Sequence, residues 1–148
     1  MQTDATIQTG VTMQPREALH LWRCAGLALV VAWFTLGGLA HFVWPAHLVE
    51  AIPPSLPWRE AAVHITGLFA LVGAAGLLLP RFRRAAGLGL VALTLCVTPA
   101  NFYMWVYAER FAAIPEGLLL LRLPLQVVLL ALLWGVTQPW RASEWIRG

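Results

Sequence analysis

The sequence predicts an all-α integral membrane protein, a four-helix bundle with both termini in the cytoplasm. Hydrophobic residues make up 59% of the 148-residue chain and charged residues only 11%, against roughly 25% charged residues in an average soluble domain. The apolar residues fall into four blocks of about twenty, the length at which a helix crosses a bilayer. All ten basic residues are arginines, and most of them belong to one side of the predicted bundle.

The N-terminal region is predicted to lead from a flexible tail into a first transmembrane helix. Residues 1–17 are polar and offer nothing to build a core, as is typical of a loose cytoplasmic tail. Residues 18–138 form the predicted transmembrane domain, and its first span covers about 24–44. This span starts too far from Met1 and runs too long for a cleaved signal peptide, so we expect it to be retained.

A proline-rich connection separates the first span from the second. Four prolines between positions 45 and 57 exclude one continuous helix there, because proline lacks the N–H group and restricts the residue before it. Residues 46–52 can still form a short turn in the membrane interface, with Trp44 and Trp58 on either side at the level of the lipid headgroups. The second span follows at about 59–79 and contains glycines and alanines at spacings that allow close helix packing.

The third and fourth spans are predicted at about 85–107 and 117–136, followed by a cytoplasmic tail at 139–148. Pro99 interrupts the third span and Pro124 the fourth, and each frees the carbonyl group four residues earlier. The fourth span also contains Arg122. Its many leucines and valines offset the cost of inserting this one arginine, so the span remains compatible with the membrane.

The distribution of arginines predicts the orientation. Seven of them lie on the side shared by the N-terminal tail, the loop between the second and third spans, and the C-terminal tail; they are Arg16, Arg23, Arg81, Arg83, Arg84, Arg141 and Arg147. Two, Arg59 and Arg110, lie on the other side. Because cytoplasmic loops carry an excess of basic residues, both termini are predicted in the cytoplasm.

This orientation places His41, His64, Asn101 and Arg122 at one depth near the outer face, roughly 5 to 9 Å inside the helix ends at 1.5 Å per residue. Two of them have a polar neighbour one helical turn away, since Gln126 follows Arg122 and Glu60 precedes His64. We expect a polar pocket open to the outer face, closed towards the headgroups by Tyr103. The candidate ligand-binding residues are Arg122, Gln126, Asn101, His64, His41, Glu60 and Tyr103.

Two roles are open for Arg122. As a structural clamp it would donate hydrogen bonds to Asn101, to Glu60 or to the carbonyl of Leu120 that Pro124 frees, or its side chain would extend towards the headgroups. As a ligand contact it would face the pocket, because lipid offers a guanidinium no partner. The two roles are compatible.

Other chemistries find little support in the sequence. Cys24 and Cys96 lie at different predicted depths and lack a CxxC spacing, which disfavours a disulfide relay. His41, His47 and His64 belong to the outer side, but interfacial histidines explain them better than a metal site, and no metal is predicted. No basic segment carries the interleaved aromatics of a nucleic-acid-binding surface, and no phosphate loop or hydrolase motif is present.

Several motifs resemble those of the DoxX-like family of small bacterial membrane proteins. They are Gly38-x-x-His41-Phe42-x-x-Pro45, Pro53-Pro54-x-Leu56-Pro57, Pro99-Ala100-Asn101-x-Tyr103-Met104 and Arg122-Leu123-Pro124-Leu125-Gln126, and the resemblance covers about residues 25–138. It implies a four-helix bundle in the bacterial inner membrane. It also implies an association with quinone-linked sulfur oxidation, maturation of periplasmic redox enzymes or thiol-stress complexes.

Two functions follow from these observations. The first is a non-catalytic membrane subunit or accessory factor that docks a redox enzyme, or associates with further copies of itself. The second is a protein that binds a quinone or lipid headgroup in the outer pocket, with quinone as the candidate cofactor. The sequence favours a role without catalysis; an active chain would be expected to be a quinone-linked oxidoreductase subunit.

Overall fold

The computed structural model describes residues 15–111 and 114–138, with side chains described from Leu19 onwards. Most of the predicted N-terminal tail and all of the predicted tail at 139–148 lie outside these residues. The described part is helical and contains no strand. Its elements are α1 (Pro15–Val43), α2 (Pro45–Glu50), α3 (Arg59–Leu78), α4 (Arg83–Val106), a 3₁₀ turn (Ala108–Phe111) and α5 (Glu116–Thr137).

The four long helices coincide with the four predicted spans, and three of them agree within two residues at each end. Helix α1 differs because it begins at Pro15, nine residues before the predicted start of the first span. Proline suits the first turn of a helix, where its missing N–H is not needed. The prediction marked the onset of the apolar segment, whereas the helix also includes the polar turns before it.

All four long helices are long and apolar enough to cross a membrane. Large apolar side chains cover the outside of the bundle; Leu36 is 68% exposed and Val127 66%. Such a surface would be unfavourable in water but suits contact with lipid. The prediction of a membrane-embedded helical bundle is therefore supported, with the arrangement of a multi-pass membrane protein.

The helices form a ring in the order α1, α3, α4, α5. Helix α1 packs most closely on α3, and its contact with α5 closes the ring more sparsely. At the α1–α3 crossing, a Cβ atom added to Gly67 would lie 2.6 Å from His41 Cβ, so only glycine fits there. The core of the ring is built from Val30, Phe34, Ala70, Ala74, Leu77, Leu90 and Leu133.

The two ends of the bundle differ in the elements and the charges that they contain. The α2 end contains α2, the 3₁₀ turn and the ends of the long helices at Val43, Arg59, Val106 and Glu116. The basic end contains the helix ends at Leu78, Arg83 and Thr137 together with the N-terminal part of α1. A second cluster of buried apolar side chains, formed by Ala51, Met104, Phe111 and Leu119, packs at the α2 end.

Candidate functional site

A line of polar side chains runs along one face of α4 towards the α2 end. Thr94, Thr98 and Asn101 are spaced at i, i+4 and i+7, which places them on the same side of the helix. The hydroxyl of Thr94 donates to the carbonyl of Leu90 at 2.7 Å, and that of Thr98 donates to the carbonyl of Thr94 at 3.1 Å. Because both hydroxyl protons are used within α4, the threonines present oxygen acceptors to the neighbouring helix.

Gln126 of α5 binds this line of acceptors. Its Nε2 donates to the carbonyl of Thr94 at 2.8 Å and to Oγ1 of Thr98, and its Oε1 accepts from Asn101 Nδ2 at 2.9 Å. The side chain is buried, with 9% of its surface exposed, and both its amide protons and its oxygen have partners. In a medium without water these bonds hold the amide in a single orientation and join α5 to α4.

Arg122 lies one helical turn before Gln126 but has a much poorer partner. Its Nη1 donates to the thioether Sδ of Met104 at 3.3 Å, and sulfur is a weak acceptor. None of the acceptors expected for a clamp, Asn101, Glu60 or the Leu120 carbonyl, receives a hydrogen bond from it, and the described residues form no ion pair with it. The guanidinium is half-buried and keeps N–H groups for a further acceptor.

A cavity of about 420 Å³ lies beside this guanidinium. Four of the predicted site residues line it: His41, Asn101, Arg122 and Gln126. The rest of its wall is mainly apolar and comes from α1, α3, α4, α5 and the α2 region, including Leu48 and Ile52. A mostly apolar cavity of this size with a few convergent polar groups is the usual form of a small-molecule site.

The cavity lies where α1 and α5 separate. Towards the basic end these helices touch, since a Cβ added to Gly26 would lie 3.2 Å from Val136 Cγ1. Near the α2 end, nothing lies within 4 Å of a Cβ added to Gly37. Gly37, Trp33 and Leu125 line the cavity and are themselves exposed on the outside of the bundle, so the gap opens towards the lipid-facing surface.

His41 is fixed on the cavity wall by its own helix. Its Nδ1 lies 2.7 Å from the carbonyl of Gly37, one turn earlier, and donates to it. In the neutral ring the other nitrogen, Nε2, is then an acceptor. The cavity therefore combines a cationic donor at Arg122, an imidazole at His41 and the carboxamide of Asn101, whose Nδ2 is oriented by Gln126.

The other three predicted site residues, His64, Glu60 and Tyr103, do not line the cavity. His64 bonds the backbone carbonyl of Glu60 at 2.8 Å and packs edge-on against Phe42, with ring centroids 5.7 Å apart. Tyr103 accepts a hydrogen bond from Arg110 at 3.1 Å and packs against Tyr107. Residues at one depth can point in different directions around their helices, so depth alone could not separate His64 from the cavity residues.

The sequence prediction missed Met104, Thr94 and Thr98 as parts of the site. The threonines could have been found from their i, i+4, i+7 spacing with Asn101 in an otherwise apolar helix. Met104 carried no such signal, because a methionine in a transmembrane helix is usually a packing residue. Its role as the acceptor for Arg122 depends on how α4 and α5 are rotated against each other.

Comparisons with known proteins give a family but no activity. A family model described as "Domain of unknown function (DUF8561)" matches residues 29–137, which include every residue of the cavity. The match is not to a DoxX-like family, and that resemblance stays a prediction. No curated protein and no solved structure matched the chain.

Proposed function

The chain belongs to the DUF8561 family, and we propose that it binds a membrane-soluble amphiphile in the cavity at the α2 end. The head of the ligand carries carbonyl or anionic oxygens, as a quinone or a lipid headgroup does, and its tail lies in the gap between α1 and α5. The observation that carries this proposal is the half-buried guanidinium of Arg122, which faces the cavity with only a thioether as acceptor.

The energetics favour a ligand oxygen at this position. A guanidinium within a transmembrane helix is costly unless its donors are satisfied, and a hydrogen bond to a thioether satisfies only one of five. A carbonyl or anionic oxygen of a ligand would accept a charge-assisted hydrogen bond from one of the N–H groups that have no acceptor. Asn101 and His41 then orient the head, because each is already fixed by Gln126 or by the Gly37 carbonyl.

The opening of the cavity supports a ligand that arrives from the bilayer. The gap at Gly37 faces the outside of a bundle whose surface is apolar, so a lipid-soluble molecule reaches it without crossing water. Gly37→Leu would fill this gap, which has room for a side chain, and should slow ligand association without lowering thermal stability. Gly89→Leu, at another glycine with open space around it, is the matched control and should leave association unchanged.

The direct test is ligand binding by the purified full-length chain in a neutral detergent. Mass spectrometry of organic extracts should reveal a bound quinone or lipid, and a short-tailed quinone should quench the fluorescence of Trp33, which lines the cavity. Arg122→Gln should weaken binding about 10- to 100-fold, the effect of losing one charged hydrogen bond. Arg110→Gln is the control, since Arg110 also lies at the α2 end but bonds Tyr103 away from the cavity.

A docking role as a redox accessory subunit is the second candidate, and one observation favours it. Trp58 is 84% exposed and has a backbone φ of 60°, a left-handed conformation that is uncommon for a bulky residue and concentrates at functional sites. Trp44, 61% exposed, lies at the other end of the same connection. If changes here abolish a copurifying partner that Arg122→Gln retains, and extracts contain no ligand, the docking role replaces the ligand-binding proposal.

We place the protein in the bacterial inner membrane with the α2 end outside and the basic end in the cytoplasm. The excess of arginines at the basic end supports this orientation. Reporter fusions after Gly148 should behave as cytoplasmic, and insertions within 45–57 should be accessible from outside. The opposite pattern would place the cavity near the inner face and remove the periplasmic redox partners from consideration.

A further inference from the structure

The basic end of the bundle contains a second cavity, which the proposed function does not use. It has a volume of about 530 Å³ and lies where α1, the start of α4 and the end of α5 meet. Basic side chains dominate its polar lining, which consists of His20, Arg23, Arg83 and Arg84 together with Cys24, Thr137 and Gln138. Leu27, Pro80 and Val136 supply its apolar side.

Two of the three arginines are held in place by backbone carbonyls. Arg83 Nε donates to the carbonyl of Leu77 at 2.9 Å, and Arg23 Nη2 donates to the carbonyl of Gln138 at 2.7 Å. In the part of the chain whose side chains the structure describes, neither Arg83 nor Arg84 forms an ion pair with a carboxylate. Both line the cavity, where their like charges repel each other, so an anion in the cavity would remove an unfavourable interaction and gain charge-assisted hydrogen bonds.

His20 adds a fourth group to the same wall. Its Nδ1 lies 3.5 Å from Cys24 Sγ, which leaves Nε2 as the nitrogen that can face a ligand. The Thr137 hydroxyl donates to the carbonyl of Leu133 at 2.7 Å and presents no proton to the cavity. The donors that an anion would meet are therefore guanidinium and imidazole groups, a combination suited to the several oxygens of a phosphate.

We propose that this cavity binds the phosphate group of an anionic ligand. The cavity combines basic groups with an apolar side at the level of the helix ends, which is where a phospholipid presents its phosphate and the start of its acyl chains. Basic pockets between transmembrane helices on the cytoplasmic side are suited to anionic lipid headgroups, and the basic end is the one predicted to face the cytoplasm. A free phosphate offers the same oxygens without the chains.

The test uses the full-length chain in a neutral maltoside detergent and measures binding by native mass spectrometry and titration. Phosphatidylglycerol is compared with phosphatidylcholine of the same acyl chains, in which the choline ammonium neutralises the phosphate. Arg84→Gln should weaken phosphatidylglycerol binding roughly fivefold to tenfold, as expected for one arginine near a headgroup. Arg81→Gln removes the same charge from the same loop, but Arg81 lies against Phe82 and does not line the cavity; it should change binding less than about twofold.

The outcomes distinguish a phospholipid from free phosphate and can refute the proposed binding site. Competition by millimolar inorganic phosphate would identify the phosphate group alone as sufficient, whereas retention of the lipid in its presence would identify a phospholipid. Equal binding of the two lipids, equal effects of Arg84→Gln and Arg81→Gln, or no binding of either lipid or phosphate would refute the proposal. Because the cavity at the α2 end shares none of these residues, Arg122→Gln should leave this binding intact.

Discussion

The middle of the bundle and its basic end handle polar groups differently. Near the middle of α4 and α5, Gln126 is buried and joins the two helices through Thr94, Thr98 and Asn101. At the basic end, the hydroxyl of Thr137 bonds the carbonyls of Leu133 and Trp134 within its own helix. The first arrangement couples two helices in a dry environment, whereas the Thr137 hydroxyl is satisfied within its own helix.

The charged groups show the same contrast. Arg122 is a single guanidinium inside a transmembrane helix, and its surroundings supply only a sulfur acceptor. Arg83 and Arg84 lie beside Arg81 at the mouth of the bundle, where water and headgroups can reach them. A single polar change should therefore matter far more in the middle of the bundle than at the basic end.

The largest effect is expected from packing at the α1–α3 crossing. Gly67→Ala would place a Cβ 2.6 Å from His41 Cβ and 3.1 Å from the carbonyl oxygen of Gly38, and neither atom can move without shifting α1. We expect the free energy of unfolding to fall by about 3 kcal/mol, the cost of overpacking a tight contact. Gly89→Ala, where nothing lies within 4 Å, should be neutral or stabilising in the same denaturant titration.

The next effect concerns the amide that joins α4 and α5. Gln126→Leu should destabilise the protein by about 1 to 2 kcal/mol, because it leaves Asn101 Nδ2 without its acceptor in a dry site. Thr137→Val is the comparison at the basic end and should cost less than about 0.5 kcal/mol, because the two side chains have the same shape and the Leu133 carbonyl keeps the backbone hydrogen bond of the α-helix. If both variants lost the same free energy of unfolding in detergent, the contact between α4 and α5 would be no more sensitive to an unpaired polar group than the basic end.

A change of opposite sign is expected at Arg122. Without ligand, Arg122→Leu should stabilise the protein by about 1 kcal/mol, because it removes a half-buried charge that has only a thioether partner. With ligand bound, the same variant should lose the ligand-induced increase in melting temperature. A destabilised ligand-free variant would instead identify Arg122 as a structural clamp, and Arg110→Leu serves as the control for removing a cation at this end.

The smallest effect is expected at the rim of the basic end. Arg84→Gln should change the free energy of unfolding by less than about 0.5 kcal/mol, because the side chain is exposed and its charge is screened. Its consequence should instead be a shallower dependence of stability on added anionic lipid. A loss larger than that of Gln126→Leu in thermal unfolding would reverse the proposed ranking of the two regions.

The sequence by itself determined the class of the fold and the positions of the long helices. Four apolar segments of helical length can be satisfied in lipid only as spanning helices, because every backbone polar group must be paired within the segment. The helix ends followed from prolines and from the onset of polar residues. Only the start of α1 escaped this reasoning, since a helix can continue past the apolar segment into water.

The sequence also identified most of the polar groups of the candidate site, but not how they combine. Arg122, Asn101 and His41 were predicted at one depth, with Gln126 one helical turn beyond Arg122 on the same face, and the structure brings all four to one cavity. His64 was predicted at the same depth but, like Glu60 and Tyr103, does not line the cavity, because the rotation of each helix about its axis is set by packing such as the Gly38–Gly67 crossing. The depth of a residue is a property of one helix and can be counted along the sequence. The rotation and separation of the helices depend on all of them together. They decide where the gap at Gly37 opens and why Met104 is the partner of Arg122.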